Sequence, residues 1–142
     1  TVGDYTRFVR IVLNLGQLDG DRVLTPAAVQ HHLMLNQSGN CHVRLLPAAI
    51  PLTADAEFFP GVRKRWSLAF QINEAPTFTG RPAGSLSWAG LANSFYWIDP
   101  QTGIAGVLAT QTFPFADPGV MDLLYAFEKG VYDQLRPARA AG

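Results

Sequence analysis

Apolar residues recur at helical spacing at the start of the chain, where Tyr5, Phe8, Val9, Val12 and Leu15 form one stripe. Thr1 or Asp4 can cap this helix and Gly16 can end it. An Asp19-Gly20 turn leads through Arg22-Val23-Leu24 to Thr25-Pro26, a capping threonine followed by proline at the first helical position. That pair predicts a second helix to about Leu35. From Asn36 to Gly61 the periodicity fails, and Pro47, Pro51 and Pro60 mark a long irregular connection suited to a wall or lid. Arg65 to Asn73 then alternates around Trp66, Leu68, Phe70 and Ile72, which predicts a half-buried strand. After a connector over 74–83, strands are expected at 84–90, 93–98 and 104–111. Asp99-Pro100-Gln101-Thr102-Gly103 forms the turn between the last two. Asp117-Pro118 opens a long helix to about Leu135, with Met121, Leu124, Tyr125, Glu128, Tyr132 and Leu135 on one side.

The order of elements predicts an α+β fold, an antiparallel β-sheet with flanking helices. One domain is expected: a helical part at 1–35, an irregular loop at 36–64, antiparallel strands at 65–111, a C-terminal helix at 117–135 and a fraying tail at 136–142. Three or four meandering strands with one terminal helix leave a sheet face and an edge uncovered. Another segment is expected to pair there.

Composition narrows the function. The 142 residues are 48% hydrophobic and 15% charged, which fits an ordered, extensively buried chain. Eleven basic residues balance eleven acidic ones, so neither nucleic acid nor an anionic membrane surface is expected as a partner. No apolar run reaches spanning length, and no signal peptide opens the chain. Cys41 is alone and reads as an inert thiol. The compartment stays open between a cytoplasmic and a periplasmic, bacterial-type setting.

The most informative stretch is Gly84-Ser85-Leu86-Ser87-Trp88-Ala89-Gly90-Leu91-Ala92-Asn93-Ser94-Phe95-Tyr96-Trp97-Ile98-Asp99-Pro100. It reads as two strands meeting at a tight corner of small residues. Trp88-Ala89-Gly90 is similar to the third motif of the serine β-lactamase-like hydrolases, where many relatives carry Lys-Thr-Gly. Thr1-Val2-Gly3-Asp4-Tyr5-Thr6-Arg7-Phe8, Leu18-Asp19-Gly20, Leu24-Thr25-Pro26 and the run from Thr110 to Pro118 resemble the same family, in order and at plausible spacing. The chain thus resembles the C-terminal portion of a β-lactamase/transpeptidase-like fold, a superfamily of class C β-lactamases, D-aminopeptidases, penicillin-binding-protein-like peptidases and esterases.

The resemblance implies acyl transfer through an acyl-serine, with no cofactor and no metal. The backbone N–H of Leu91 would be an oxyanion donor, and Gly90 would let substrate approach the backbone. Trp88 and Ala89 would border the substrate, and Phe58 and Phe59 either line an acyl pocket or anchor the loop. Where relatives offer a cation, Trp88 offers an apolar face and one indole donor, which favours uncharged esters over carboxylate-bearing β-lactams. No serine here has a lysine three residues later, and no Tyr-x-Asn occurs. The resemblance therefore implies a partner, the N-terminal half carrying Ser-x-x-Lys and Tyr-x-Asn, as a separate chain or a missing segment. The small-molecule substrate would be an ester or amide, and this chain alone would be inactive. The alternative is a non-catalytic binding module that keeps the fold without the chemistry.

Other candidates read more plainly. Adjacent His31 and His32 point apart on a helix, and His42 lies in the loop, so no metal is expected. Asp55 and Glu57 read as a solvated loop face, and Arg81 as an exposed connector residue. Tyr96 and Trp97 alternate faces, which places at least one of them in the core.

Overall fold

The computed structural model describes the backbone of residues 1–140 and side chains through residue 135. Helix α1 (Val2–Leu13) starts with a full capping box, in which Thr1 accepts the Asp4 N–H and the Asp4 carboxylate reaches back to the Thr1 amine. Such a cap contributes about 1 kcal/mol. Strands β1 (Gln17–Leu18) and β2 (Asp21–Arg22) form a hairpin across Asp19 and Gly20, both at positive φ, as a two-residue turn of the primed type requires.

Thr25 caps α2 (Pro26–Ala28), accepting the Ala28 N–H at 3.1 Å. The helix then widens into a π-helical stretch, Val29–Met34. Its free carbonyls find outside donors: His32 O accepts from Leu68 N and His31 O from the Gln37 side chain.

The expected strand over 65–73 is instead a hairpin, β3 (Lys64–Trp66) and β4 (Gln71–Asn73). The Ser67 hydroxyl accepts the N–H groups of Ala69 and Phe70, and Ser67 N–H donates to Phe70 O. A serine side chain that captures the backbone this way competes with the ladder and turns the chain, leaving Leu68 exposed at the tip. Strands β5 (Leu86–Gly90), β6 (Ser94–Asp99) and β7 (Ile104–Leu108) complete a five-stranded antiparallel meander in the order β3-β4-β5-β6-β7. Helix α3 (Pro118–Ala140) begins where Asp117 accepts the Val120 N–H. It runs five residues past its expected end. The expected fraying tail at 136–142 overlaps this last part of the helix, and residues 141–142 lie outside the described residues.

Both sheet faces are covered, contrary to the sequence expectation. Phe95 and Trp97 of β6 pack with Phe58, Phe59, Val120, Leu124 and Tyr132 on the α3 side. Tyr96 and Ile98 pack with Val9, Val12, Val29, Phe70 and Leu86 on the α1 side. The period-2 alternation of β6 divides the two cores, and α1 supplies the second cover. The β7 edge stays unpaired among the described residues. No helix of the described residues is long and apolar enough to cross a membrane.

The buried phenols set an alkaline limit. Burial, followed by the hydrogen bond to Tyr5, pushes Tyr96 well above its usual value of 10.0. Burial and then the Asp99 carboxylate raise Tyr132, whose hydroxyl donates to Asp99 Oδ2 at 2.9 Å. Above pH 10 the unfolded chain releases phenolic protons that the folded chain keeps, so stability falls as pH rises. Lys64, pushed down by burial, acts in the opposite sense in the window below 10.5. The urea midpoint is expected to drop between about pH 9 and pH 11, and less steeply in Tyr132→Phe. Parallel pH profiles for the two proteins would refute Tyr132 as a source of the drop.

Candidate functional site

Strand β5 lies between β4 and β6, but its two neighbours differ in reach. Pairing with β6 continues from Leu86 to Gly90, whereas pairing with β4 stops at Ser87. Trp88, Ala89 and Gly90 therefore border no strand on the β4 side. This open edge follows from the short β3–β4 hairpin. It leaves a stretch of extended backbone against which another chain or a ligand can lie.

Trp88 is half-buried at this edge. Its indole meets Trp66 edge-to-face with centroids 4.4 Å apart, and Phe58 at 6.3 Å. Phe58 in turn packs edge-on against Phe95 and Phe115, each at 6.1 Å. Phe59 turns away. It is 4% exposed and contacts Phe78 and Tyr125, with the Arg81 guanidinium 4.8 Å from its centroid. The structure thus packs Phe58 on Trp88 and points Phe59 towards α3, while both phenylalanines line one small cavity with Trp88 and Ala89.

The sequence reading did not single out Lys64, which sets this divergence. Its buried ammonium donates to Phe58 O and, at 3.3 Å, to Phe59 O. Burial holds its pKa below the usual lysine value, against the pull of Glu57. Phe59 adopts φ +50, a left-handed conformation that is uncommon for an aromatic residue.

The β5–β6 corner spans Leu91, Ala92 and Asn93. Leu91 is 47% exposed, and among the described residues its N–H donates to no other group. Ala89 and Gly90 also line a cleft of about 260 Å³ with Val2, Tyr5, Ser94 and Val107. A Cβ added at Gly90 would meet only Ser94 O, at 4.0 Å. The absence of a side chain there is not a packing requirement of the described residues.

Arg81 is not the exposed connector residue expected from sequence. It is 2% exposed and paired with the fully buried Glu128 of α3. Asp55 accepts the Ala48 N–H at 2.7 Å and Glu57 pairs with Arg44 at 3.5 Å, so both brace the irregular loop. His31 and His32 are exposed, and His42 lies 3.7 Å from Glu74, which also pairs with Arg63 and Arg65. Cys41 is exposed in the loop.

No family model matches the chain. A stretch of 56 residues, 39% of the chain, is 36% identical to the acyltransferase CalJ of Penicillium decumbens, spanning 13% of that protein. The same extent is 38% identical to ML-236A carboxylate methylbutanoyltransferase MlcH of Penicillium citrinum. Among solved structures, a mutant simvastatin synthase (LovD) from Aspergillus terreus superimposes on 95% of the chain with a TM-score of 0.69 and 21% identity. A penicillin-binding-protein homologue from Caulobacter crescentus covers 86%, with a TM-score of 0.56 and 19% identity. The chain spans 34% and 30% of these two structures. It therefore has the fold of the C-terminal portion of the β-lactamase-like and penicillin-binding-protein-like enzymes.

Proposed function

We propose that the chain is the C-terminal portion of a serine acyl-transfer enzyme, an esterase-like hydrolase or acyltransferase. In this reading Trp88-Ala89-Gly90 forms one wall of the site and Leu91 N–H is an oxyanion donor. The observation that carries it is the open β5 edge, which ends in a glycine free of packing demands and an unpartnered N–H. An oxyanion hole needs a preorganised donor not already used by the protein, next to backbone that a substrate can reach. The similarity to two proteins named as acyltransferases supports acyl transfer as the chemistry.

The nucleophile comes from an N-terminal portion bearing Ser-x-x-Lys, for which the unpaired β7 edge and the cleft beside Gly90 provide docking surface. Its serine attacks the ester carbonyl, the carbonyl oxygen becomes the oxyanion, and the alcohol leaves with a proton. Water or a second alcohol then takes the acyl group. Trp88, which brings no charge, suits a neutral ester, and Trp88 and Phe58 form the apolar border for its acyl chain.

The test is assembly with a Ser-x-x-Lys-bearing N-terminal portion and assay with a short-chain aryl ester. The assembly is expected to turn over and this chain alone to be inert. Gly90→Val is expected to lower turnover by about a hundredfold or more while leaving the melting temperature of this chain by itself within a few degrees, since a Cβ there meets only Ser94 O, at 4.0 Å. Turnover by the isolated chain, or an unaffected Gly90→Val assembly, would overturn these roles. An assembly that binds esters without cleaving them would favour a binding module. Faster product release on adding an acceptor alcohol would identify a transferase.

A further inference from the structure

We propose that Asn93 is the positioning residue of this site: its side-chain amide locks the β5–β6 corner and so holds the Leu91 N–H in one orientation. The inference rests on the reading of Leu91 as an oxyanion donor and adds a residue that acts through it.

Asn93 is fully buried and has φ +58. Its Nδ2 donates to Thr112 O at 2.9 Å and Pro114 O at 2.7 Å. Its Oδ1 accepts from Ala116 N at 2.7 Å and Asp117 N at 3.3 Å. Both donors and both acceptor positions of the amide are in use, and two carbonyls facing two N–H groups permit only one orientation of its O and N. The backbone of the corner is held as well. Asn93 N–H closes the turn on Gly90 O at 3.0 Å. The Thr110 hydroxyl donates to Ala92 O and Asn93 O, and Thr112 N–H donates to Ala92 O.

A tight turn by itself does not call for this amide. Glycine satisfies a positive φ at least as well as asparagine, so the side chain answers a different demand. That demand is to fix the corner against the strap at 112–117, the segment that leads into α3. The strap also carries Phe115, which packs on Phe58 and Phe95 and exchanges backbone bonds with Leu52 and Ala54. One buried side chain thereby ties the donor corner to the acyl wall. Two residues from this anchor sits Leu91, exposed and with an N–H that has no partner among the described residues. Preorganisation of an oxyanion donor has this form: the donor stays free and its neighbours are fixed.

The test uses the assembly with the Ser-x-x-Lys-bearing portion, in wild-type, Asn93→Gly and Asn93→Ala forms. Asn93→Gly keeps the turn conformation and removes only the four amide bonds, so it separates positioning from folding. It is expected to lower kcat on a short-chain aryl ester by about tenfold to a hundredfold with KM within about twofold. Affinity for an alkyl boronic acid, which presents a tetrahedral oxyanion, should fall by the same factor. Asn93→Ala adds backbone strain and should lose at least as much. A folded Asn93→Gly assembly with wild-type kcat and boronate affinity would overturn the proposal. A parallel loss of kcat and thermal stability with boronate affinity unchanged would do so too. If the wild-type assembly shows no turnover, the acyl-transfer reading fails separately. Exchange of the Thr112 amide, which donates to Ala92 O of the corner, then decides the positioning role, with faster exchange in Asn93→Gly supporting the lock and unchanged exchange refuting it.

Discussion

Glu128→Ala is expected to destabilise the protein by about 3–5 kcal/mol, because it strands a buried guanidinium. Arg81 lies in the connector that precedes β5 and Glu128 in the middle of α3, and both are almost wholly withdrawn from solvent. The guanidinium donates through Nε and Nη2 to the two Glu128 oxygens, a bidentate geometry that fixes the connector against the helix. Thr79 Oγ1 donates to Glu128 as well. The cation also lies over Phe59 at 4.8 Å and Trp97 at 5.8 Å. Removing the carboxylate leaves a charge facing apolar rings, with no other ion-pair partner within 4.0 Å among the described residues.

The same principle requires that removing both charges together be far milder. Arg81→Met with Glu128→Leu should recover most of the loss. Chemical denaturation of both single variants and the double variant measures this coupling. A Glu128→Ala protein within about 1 kcal/mol of wild type would show that water reaches the pair and that its burial does not hold in solution.

Gly106→Ala should cost about 3 kcal/mol, the upper part of the range for overpacking. Gly106 of β7 is the cross-strand partner of Trp97 on β6. A Cβ built at Gly106 falls closer than 3.0 Å to three carbons of the indole six-membered ring. Trp97 cannot give way easily. It is fully buried and packs edge-on against Phe127 of α3 at 5.4 Å and beside Arg81. The position thus needs glycine for space and not for φ, which is ordinary there. Trp97→Phe withdraws the ring carbons that clash, so Gly106→Ala should be nearly neutral in a Trp97→Phe background. Equal costs in the two backgrounds would refute this account.

Much of the fold was readable in local chemistry. The caps at Thr1, Thr25 and Asp117 and the turns at Asp19-Gly20 and 99–103 act within a few residues, and the structure places them where the pattern did. The β5 and β6 bounds, 86–90 and 94–99, fall close to the expected 84–90 and 93–98. The hairpin at 64–73 was not readable, because alternating apolar residues describe one strand or two equally well. What separated them was the Ser67 hydroxyl, taking backbone donors that a straight strand would give to its neighbour.

In the candidate site, Trp88-Ala89-Gly90 stood out because the motif is contiguous. Arg81 did not, since its partner lies 47 residues away and only the packing of α3 on the sheet brings them together. Asn93 stood in the same stretch as the motif yet drew no attention. Its four partners lie at 112–117, across the whole of β6 and β7. An asparagine at a strand corner, a residue type that tolerates positive φ, is the signal the sequence held.

By itself, the sequence determined the α+β class, the order of helices and meander, the position of the motif at a strand end and the absence of a Ser-x-x-Lys nucleophile from these residues. Each is written in near-neighbour periodicity, turn chemistry or a simple search for a motif. Tertiary structure alone decided that α1 covers the second sheet face, that Arg81 and Glu128 meet in the core, and that the β5 edge stays open beyond Ser87. These depend on which distant surfaces pack together, a choice made by burial and hydrogen-bond satisfaction over the whole chain, and no local pattern encodes it.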